Sequence, residues 1–336
     1  MRMPFAPESS PVAQADDGTR AQRTRSLRRV VALALIGTAV ASVLVTGLFH
    51  YLDARSLLTE AVEGQLANHQ SAQVRAIREG LQRLQDQIAL IARGERTVAA
   101  LRDFSAAYRE VEASVPALEP AESAALMDHY DQLVTEADTT LLGNVPPPED
   151  LLPAAPATRF LQYRYVTDDG QARHNQDASR AQERTDYERV HAERHPGLDR
   201  LRTTLGFGDL LLVDDAGRVV YTADKRVDFA TAVGDGPYRE TVLAAALARL
   251  TRSTAGATAL VDFEAYLPAS GRPVMLASAS VADGAAVIGA VVVGIPIDRL
   301  NALTTNGETW RASGLGDTGE TYVVGPDRLI RSDARL

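Results

Sequence analysis

Three groups of residues in this 336-residue chain have types and spacings that could carry chemistry. The first is the stretch GLGDTG, in which Gly314, Gly316 and Gly319 have the G-x-G-x-x-G spacing of dinucleotide-binding loops. Such a loop follows a strand and opens a helix, so that the pyrophosphate meets the helix N-terminus. Here the glycines follow a polar segment and precede a strand-like run, TYVV. We therefore interpret them as a connection and expect no cofactor.

The second group is the histidine pair in VHAERHP, where His191 and His195 lie one helical turn apart. Zinc proteases with this spacing carry a glutamate directly after the first histidine, where it can act as a general base. In this chain Glu193 is displaced by one position and points to another part of the helix surface. His174 is the nearest further candidate ligand. We favour a structural histidine pair over zinc and expect no metal.

The third group lies in a polar segment that starts at Tyr221 and ends at Arg239, with further members on the next predicted strand. Loops that lie over one face of a sheet often form small-molecule pockets, although decoration of the surface is an equally good interpretation. The candidate ligand-binding residues are Tyr221, Lys225, Asp228, Phe229, Tyr238, Arg239, Asp262 and Tyr266.

The composition excludes several classes of function. The chain has no cysteine, which rules out disulfides, thiolate metal sites and cysteine nucleophiles. Its net charge of −9 argues against nucleic acid as a partner. The sequence contains no nucleophile elbow, phosphate-binding loop, kinase motif or cyclase motif. We therefore expect no catalytic residues and no enzymatic activity within this chain.

The candidate loop is positioned by a series of predicted strands. The predicted elements are strands at 210–213 and 219–221, a helix at 240–250, and strands at 258–266, 273–281 and 287–295. The order β-β-α-β-β-β with short turns predicts an antiparallel sheet with helix packed on it, an α+β fold. Near the end of the chain, TYVVGPDRLIRSD repeats the pattern of LLLVDDAGRVVYTAD, which predicts the opening hairpin of a second, similar module.

The charge pattern near the N-terminus predicts a membrane anchor. Residues 30–52 contain no Asp, Glu, Lys or Arg, and a helix of this length can cross the ~30 Å hydrocarbon layer. Five arginines precede it between Arg20 and Arg29, which predicts a cytoplasmic N-terminus and an extracytoplasmic remainder. A cleaved signal peptide is the alternative, because Ala-Val-Ala at 39–41 resembles a cleavage site. The apolar run continues well past that site, so we favour the anchor.

The segment from Asp53 to about Arg109 is predicted to be one long helix. Its apolar residues recur at alternating spacings of three and four, at Val74, Ile77, Leu81, Leu84, Ile88 and Ile91. Such a seam fits a helix packed on its own domain, and it also fits a stalk that pairs with a second copy. We expect both, and therefore a homodimer through this helix. Further helices are predicted at 119–142 and around a polar loop at 167–179, the last one kinked or divided at Pro196.

Several of these segments together resemble the double-Cache sensor region of bacterial transmembrane receptors. The matching segments are FGDLLLVDDAGRVVYTADKRVDFATAVGDGPYRETVL, VDFEAYLPASGRPVMLASASV, VIGAVVVGIPIDRLNALTT and GLGDTGETYVVGPDRLIRSDARL, with VHAERHP and FLQYRY upstream. The resemblance covers about residues 158–336. The subtype is one that occurs on methyl-accepting chemotaxis proteins, adenylate/guanylate cyclases and sensor kinases.

The resemblance implies a membrane-distal, PAS-like lobe that binds ligand, a smaller membrane-proximal lobe, a second membrane helix and an output domain. The implied parts of this chain are a disordered cytoplasmic tail (1–29), a transmembrane helix (30–52), a helical stalk and lead-in (53–205), the distal lobe (206–304), and a linker with an incomplete proximal lobe (305–336). Amino-acid-binding members carry an Arg-x-Trp-Tyr run, whereas residues 234–239 read GDGPYR and the single tryptophan is Trp310. The ligand is therefore predicted only as a small molecule.

These features predict the extracytoplasmic sensing region of a receptor in the inner membrane, of the chemoreceptor type. The sensor region of a membrane cyclase or a histidine kinase is the alternative. A membrane-tethered adhesion protein without a ligand, and an enzyme in its own right, are the rival classes. An adhesin would need no pocket, and an enzyme would need a convergent acid/base or metal cluster.

Overall fold

The computed structural model describes residues 17–115, 117–167, 185–250, 256–304 and 322–332. The chain divides into two units, Met1–Asn68 and His69–Leu336. The glycines of GLGDTG, His174 and Trp310 all lie outside the described residues. The structure therefore does not describe the glycines that resemble a cofactor loop, or His174, the candidate third metal ligand.

The first unit is built on the beginning of α1, the helix Asp17–Arg93. Within the described residues, this is the one helix long and apolar enough to cross a membrane by length and composition. The side chains of its apolar run are exposed to the surroundings, Leu33 and Phe49 among them. The helix already includes residues 17–29, where Arg, Ala, Gln and Leu are good helix formers, and the predicted tail stays a prediction. Residues 1–16 lie outside the described residues.

The second unit starts with the end of α1 and continues with further helices. These are α2 (Glu95–Ser114), α3 (Pro120–Glu136), α4 (Thr139–Leu142), α5 (Pro148–Leu151), α6 (Pro156–Val166) and α7 (Asp186–Leu205). The predicted single helix to about Arg109 is therefore interrupted at Gly94, whose backbone is extended. Glycine is a poor helix former, so a break is favoured there. Leu84 and Ile88 of the predicted seam are buried in the core of their own unit.

Helix α7 is well defined at both ends. Thr185 and Glu188 form a reciprocal capping box at its start, and Gly206 ends it in the left-handed conformation with φ 66°. The helix continues through Pro196, so of the predicted kink or division the division is wrong, while the kink stays a prediction. Proline removes only one backbone N–H, and buried residues on both sides of it, Val190 and Leu198, hold the helix to the core.

The sheet has five antiparallel strands, in the order β2-β1-β5-β4-β3. The strands are β1 (Asp209–Asp214), β2 (Val219–Thr222), β3 (Thr258–Ala265), β4 (Pro273–Asp283) and β5 (Ala286–Ile295), with α8 (Val242–Ala248) between β2 and β3 and α9 (Ile297–Thr304) after β5. This arrangement confirms the predicted α+β class. The predicted helix at 240–250 is shorter, because the hydroxyl of Thr241 donates to the carbonyl of Tyr238 in a turn before α8 begins.

Side chains on the two faces of the sheet enter different cores, as alternation along a strand requires. Leu210, Leu212 and Val293 pack in the larger core together with residues of α1, α2 and α7. Leu211 and Leu276 pack in the smaller core with α8. The segment between β2 and α8 contributes side chains to both cores. We therefore expect a ligand-binding site in this segment.

The predicted terminal repeat is paired where it is described. Val324 and Ile330 form an antiparallel bridge, and Asp327 in the turn between them forms an ion pair at 2.6 Å with Arg331, the residue after Ile330. The β1–β2 turn contains an ion pair with the same spacing of four residues, between Asp214 and Arg218 at 3.0 Å. The two hairpins thus share local chemistry as well as sequence pattern, while the second module itself stays a prediction.

Candidate ligand-binding site

A cavity of about 350 Å³ lies on the α8 face of the sheet, at the end where β1 begins and β5 ends. Its size falls within the range of small-molecule sites, about 300–1,000 Å³. We call this the main cavity because Asp228 and Tyr266 line it, although a cavity of about 760 Å³ beside α8 is larger. Its apolar lining includes Leu211, Leu243, Val274, Leu276 and Ile295, and its polar lining consists of Asp209, Arg226, Asp228, Tyr266 and Arg272. Such a lining suits a ligand with one polar end and one apolar part.

Asp228 is the polar group of this cavity with unused bonding capacity. Its Oδ2 accepts a 2.6 Å hydrogen bond from the hydroxyl of Tyr266, whereas its buried Oδ1 has no hydrogen-bond partner. Burial and, next, the charge of Asp209 raise the pKa of Asp228 to about 6, against the opposing effects of the Tyr266 hydrogen bond and the Arg226 charge. The group is therefore mainly ionised at neutral pH. A buried carboxylate oxygen without a donor is unfavourable, so this atom favours a ligand that donates one.

Asp209 differs because the backbone of its own unit satisfies it. Its Oδ1 accepts from the amides of Leu210, Ala223 and Asp224 at 2.7, 3.2 and 3.1 Å. Burial raises its pKa, and the charge of Arg226 is the largest opposing influence. Arg226 in turn donates to Asp224 at 2.6 Å. Asp209 and Arg226 therefore form a fixed wall, whereas Asp228 keeps one carboxylate oxygen that a ligand can engage.

The loop that carries Asp228 is held from the opposite side by the helical layer. Gln162 of α6 donates from Nε2 to the carbonyls of Val227 and Phe229, at 2.7 and 2.8 Å, which flank Asp228. The hydroxyl of Tyr130 donates to Gln162 Oε1 at 2.8 Å, so the amide is oriented as well. These bonds are buried and fix the backbone on both sides of the carboxylate. The direction of Asp228 is therefore set by the fold before any ligand binds.

Lys225 lies on the same loop but faces the larger core. Its Nζ is 4.3 Å from the ring centroid of Tyr221, 5.1 Å from that of Phe229 and 5.7 Å from that of Tyr165, and it donates to the carbonyl of Thr222. Burial lowers its pKa to about 7. The loop therefore carries two titratable groups in two different environments, one on each side.

The predicted histidine pair is next to this lysine. The rings of His191 and His195 stack with centroids 4.6 Å apart, and Nδ1 of His195 lies 2.8 Å from the hydroxyl of Tyr221. Burial lowers the pKa of His195, and the charge of Lys225 lowers it further. Among the described residues, no three potential metal ligands come together. The pair packs in the core, and His195 is bonded to Tyr221.

The predicted site residues fall into several places. Asp228 and Tyr266 line the main cavity. Tyr221, Lys225 and Phe229 form the group on the side of the larger core described above. The structure thus joins the first two to the cavity and separates the other three from it by the loop backbone.

The remaining three predicted residues lie apart from the main cavity. Tyr238 is buried, and its pKa is raised mainly by burial, with the nearby Tyr130 and Asp228 adding to the effect. The side chain of Arg239 is 62% exposed and pairs weakly with Glu240. Asp262 accepts from Arg331 of the terminal hairpin at 3.0 Å.

Sequence reasoning missed two groups that matter to the site. Asp209 opens β1, and a polar residue at the first position of the apolar strand DLLLVD is a signal that could have identified it. Gln162 lies in FLQYRY, a short helix whose polar and apolar residues give no regular pattern. Its role depends on a contact with residues more than sixty positions away, which a single sequence does not reveal.

Comparisons with known proteins give only distant matches. No family model matches this chain, and no curated protein matches it either. Among solved structures, the chain is similar to the sensor domain of the V. cholerae histidine kinase DctB, with 14% identity and a TM-score of 0.27 over 56% of this chain and 60% of that one. It is also similar to the ligand-binding domain of the Campylobacter jejuni chemoreceptor Tlp3 in complex with 4-methylisoleucine. That match has 11% identity and a TM-score of 0.29 over 73% of each chain.

Proposed function

We propose that this chain is the ligand-sensing region of a transmembrane receptor and binds a small molecule in the main cavity. The observation that supports this most directly is the buried, unpaired Oδ1 of Asp228 in a cavity of suitable size. A carboxylate in that state is expected to persist where a ligand completes its bonding. The ligand carries a hydrogen-bond donor for Asp228 and an apolar part for Leu243 and Leu276.

The proposal places the ligand outside the cytoplasm. The exposed apolar run in α1 supports a membrane anchor at 30–52, and the arginines before it support a cytoplasmic N-terminus. A ligand then changes output only if it binds two signalling states unequally. Arg331 joins the terminal hairpin to Asp262 of β3. In this proposal, the ion pair transmits a conformational change from the lobe that carries the cavity to the segment that follows it.

We propose that the receptor is of the chemoreceptor type. A membrane cyclase or a histidine kinase is the alternative. Pairing of two copies through the stalk helix belongs to the same proposal. The residues that carry the proposed recognition take no part in a nucleophile–base arrangement, so we propose binding without catalysis for this chain.

The test is a thermal-shift screen of the full chain in lipid nanodiscs against a library of small amines, alcohols, amides and acids. We expect one chemical class to raise the melting temperature of the wild type but not that of Asp228→Asn. That substitution keeps the acceptor for Tyr266 and removes the charge. Arg239→Ala, an exposed change in the same segment, is the matched control and should retain the shift.

Two outcomes would count against this proposal. A shift that is equal in wild type and Asp228→Asn would place the ligand elsewhere. A screen without any stabilising compound would favour the adhesion protein, which needs no pocket.

A further inference from the structure

A second cavity, of about 320 Å³, lies on the other face of the sheet from α8. The end of α1, the start of β4, the end of β5 and helix α9 enclose it. Its apolar walls are Leu81, Leu84, Met275, Ile295 and Leu300. All but Leu81 are less than 9% exposed, so these walls belong to the packed core. The second cavity therefore has a floor of core side chains and is open to solvent on the side of Arg83 and Ala302.

The ionisable side chains that line the second cavity, among the described residues, are both positively charged. They are Arg83 and Arg299. Arg83 is exposed and lies 3.8 Å from Glu79. Arg299 stacks over the ring of Phe207 at 5.5 Å, and its Nη1 is buried without a hydrogen-bond acceptor.

An unpaired guanidinium nitrogen beside apolar walls is unfavourable unless an anion completes it. Arginine binds carboxylates in a two-point geometry, which makes a carboxylate the best-fitting partner. The apolar walls would remove an alkyl chain from water, which is favourable. We propose that the second cavity is a separate binding site for an alkyl monocarboxylate, with its carboxylate on Arg299 and its chain against Leu84, Met275 and Leu300.

The probe is hexanoate, added to the full chain in nanodiscs and followed by isothermal titration calorimetry with empty nanodiscs subtracted. We expect saturable binding of hexanoate, no detectable binding of acetate, which lacks the chain, and much weaker binding of 1-hexanol, which lacks the charge. Arg299→Met should weaken hexanoate at least about tenfold, and Arg299→Lys should weaken it less. Arg200→Met, an exposed arginine on α7, is the matched control and should bind as the wild type does.

Two further variants separate this site from the main cavity. Ala302→Phe places a ring at the wall of the second cavity and should reduce hexanoate binding, whereas Asp228→Asn should leave it unchanged. Failure of the main-cavity proposal would therefore not affect this result. Equal binding of hexanoate to wild type and Arg299→Met, equal binding of 1-hexanol, or no saturable binding would each overturn the proposal.

Discussion

Asp228 and Lys225 are three residues apart in one loop, yet burial moves their pKa values in opposite directions. Removing charge from water raises the pKa of the carboxylic acid to about 6 and lowers that of the ammonium to about 7. The candidate residues could be recognised from sequence as polar groups in one segment. Which side of the loop each would face could not, because that depends on backbone conformation, including the positive φ of 50° at Lys225.

The lowered pKa of Lys225 predicts a particular dependence of stability on pH. The unfolded chain binds this proton up to about pH 10.4, whereas the folded protein releases it near 7. Between these values the unfolded state holds more protons, so stability rises with pH by at most about 1.4 kcal/mol per unit. Lys225→Met should therefore melt higher than wild type at pH 7, and the difference should shrink by pH 10.

The measurement is the melting temperature of both proteins across that pH range. A difference that stays constant with pH would contradict the lowered pKa. It would show instead that the three aromatic rings hold Lys225 as a cation throughout.

At the scale of elements, α6 holds the ligand loop through the side chain of Gln162. Replacing it in Gln162→Leu leaves the carbonyls of Val227 and Phe229 and the hydroxyl of Tyr130 without their partner. Each buried polar group left unsatisfied costs about 1–3 kcal/mol. We expect a clearly lower melting temperature. Gln82→Leu, an exposed change on α1, is the control. An unchanged melting temperature would mean that the loop is held mainly by other contacts.

The sheet itself depends on Gly289 in β5. Its φ is 149°, and a Cβ there would lie 2.1 Å from the carbonyl oxygen of Val213 in β1. Gly289→Ala would therefore push two central strands apart, and we expect a loss of about 3 kcal/mol or more. Gly284, in the β4–β5 turn, also has a positive φ but open space around it. Gly284→Asn should change little, since asparagine tolerates this conformation.

The two glycine variants are compared by thermal melting. Equal melting temperatures would show that β1 and β5 can move apart at little cost.

The helices and strands could be predicted from the sequence only in part. The strands and their order along the chain followed from apolar runs and turn residues, whereas their order in the sheet, the break at Gly94 and the continuity through Pro196 depended on packing.

At the scale of the whole molecule, membrane topology is the first question. The chain has no cysteine, so single substitutions give clean labels. We expect Ser56→Cys, after the predicted span, to react with a membrane-impermeant maleimide in intact cells. Ser26→Cys, before the span, should react only after lysis. Labelling of both positions in intact cells, or of neither, would contradict the proposed orientation.

If two copies of the chain pair through the stalk helix, they can use only part of the predicted apolar seam. Leu84 and Ile88 are buried within their own unit, so this part of the seam is already occupied. Val74 and Leu90 of α1 are exposed, at 47% and 73%. The sequence pattern identified an apolar face, but it could not distinguish packing within one chain from packing between two copies.

The central claim is that Asp228 recognises a small molecule in the main cavity. Its most direct test is calorimetric titration of the best compound from the screen into full-length wild type, Asp228→Asn, Val274→Phe and Arg239→Ala. We predict an affinity at least about tenfold weaker for Asp228→Asn and for Val274→Phe, whose ring would fill the cavity, and an unchanged affinity for Arg239→Ala. Equal affinity in all four proteins would contradict the account.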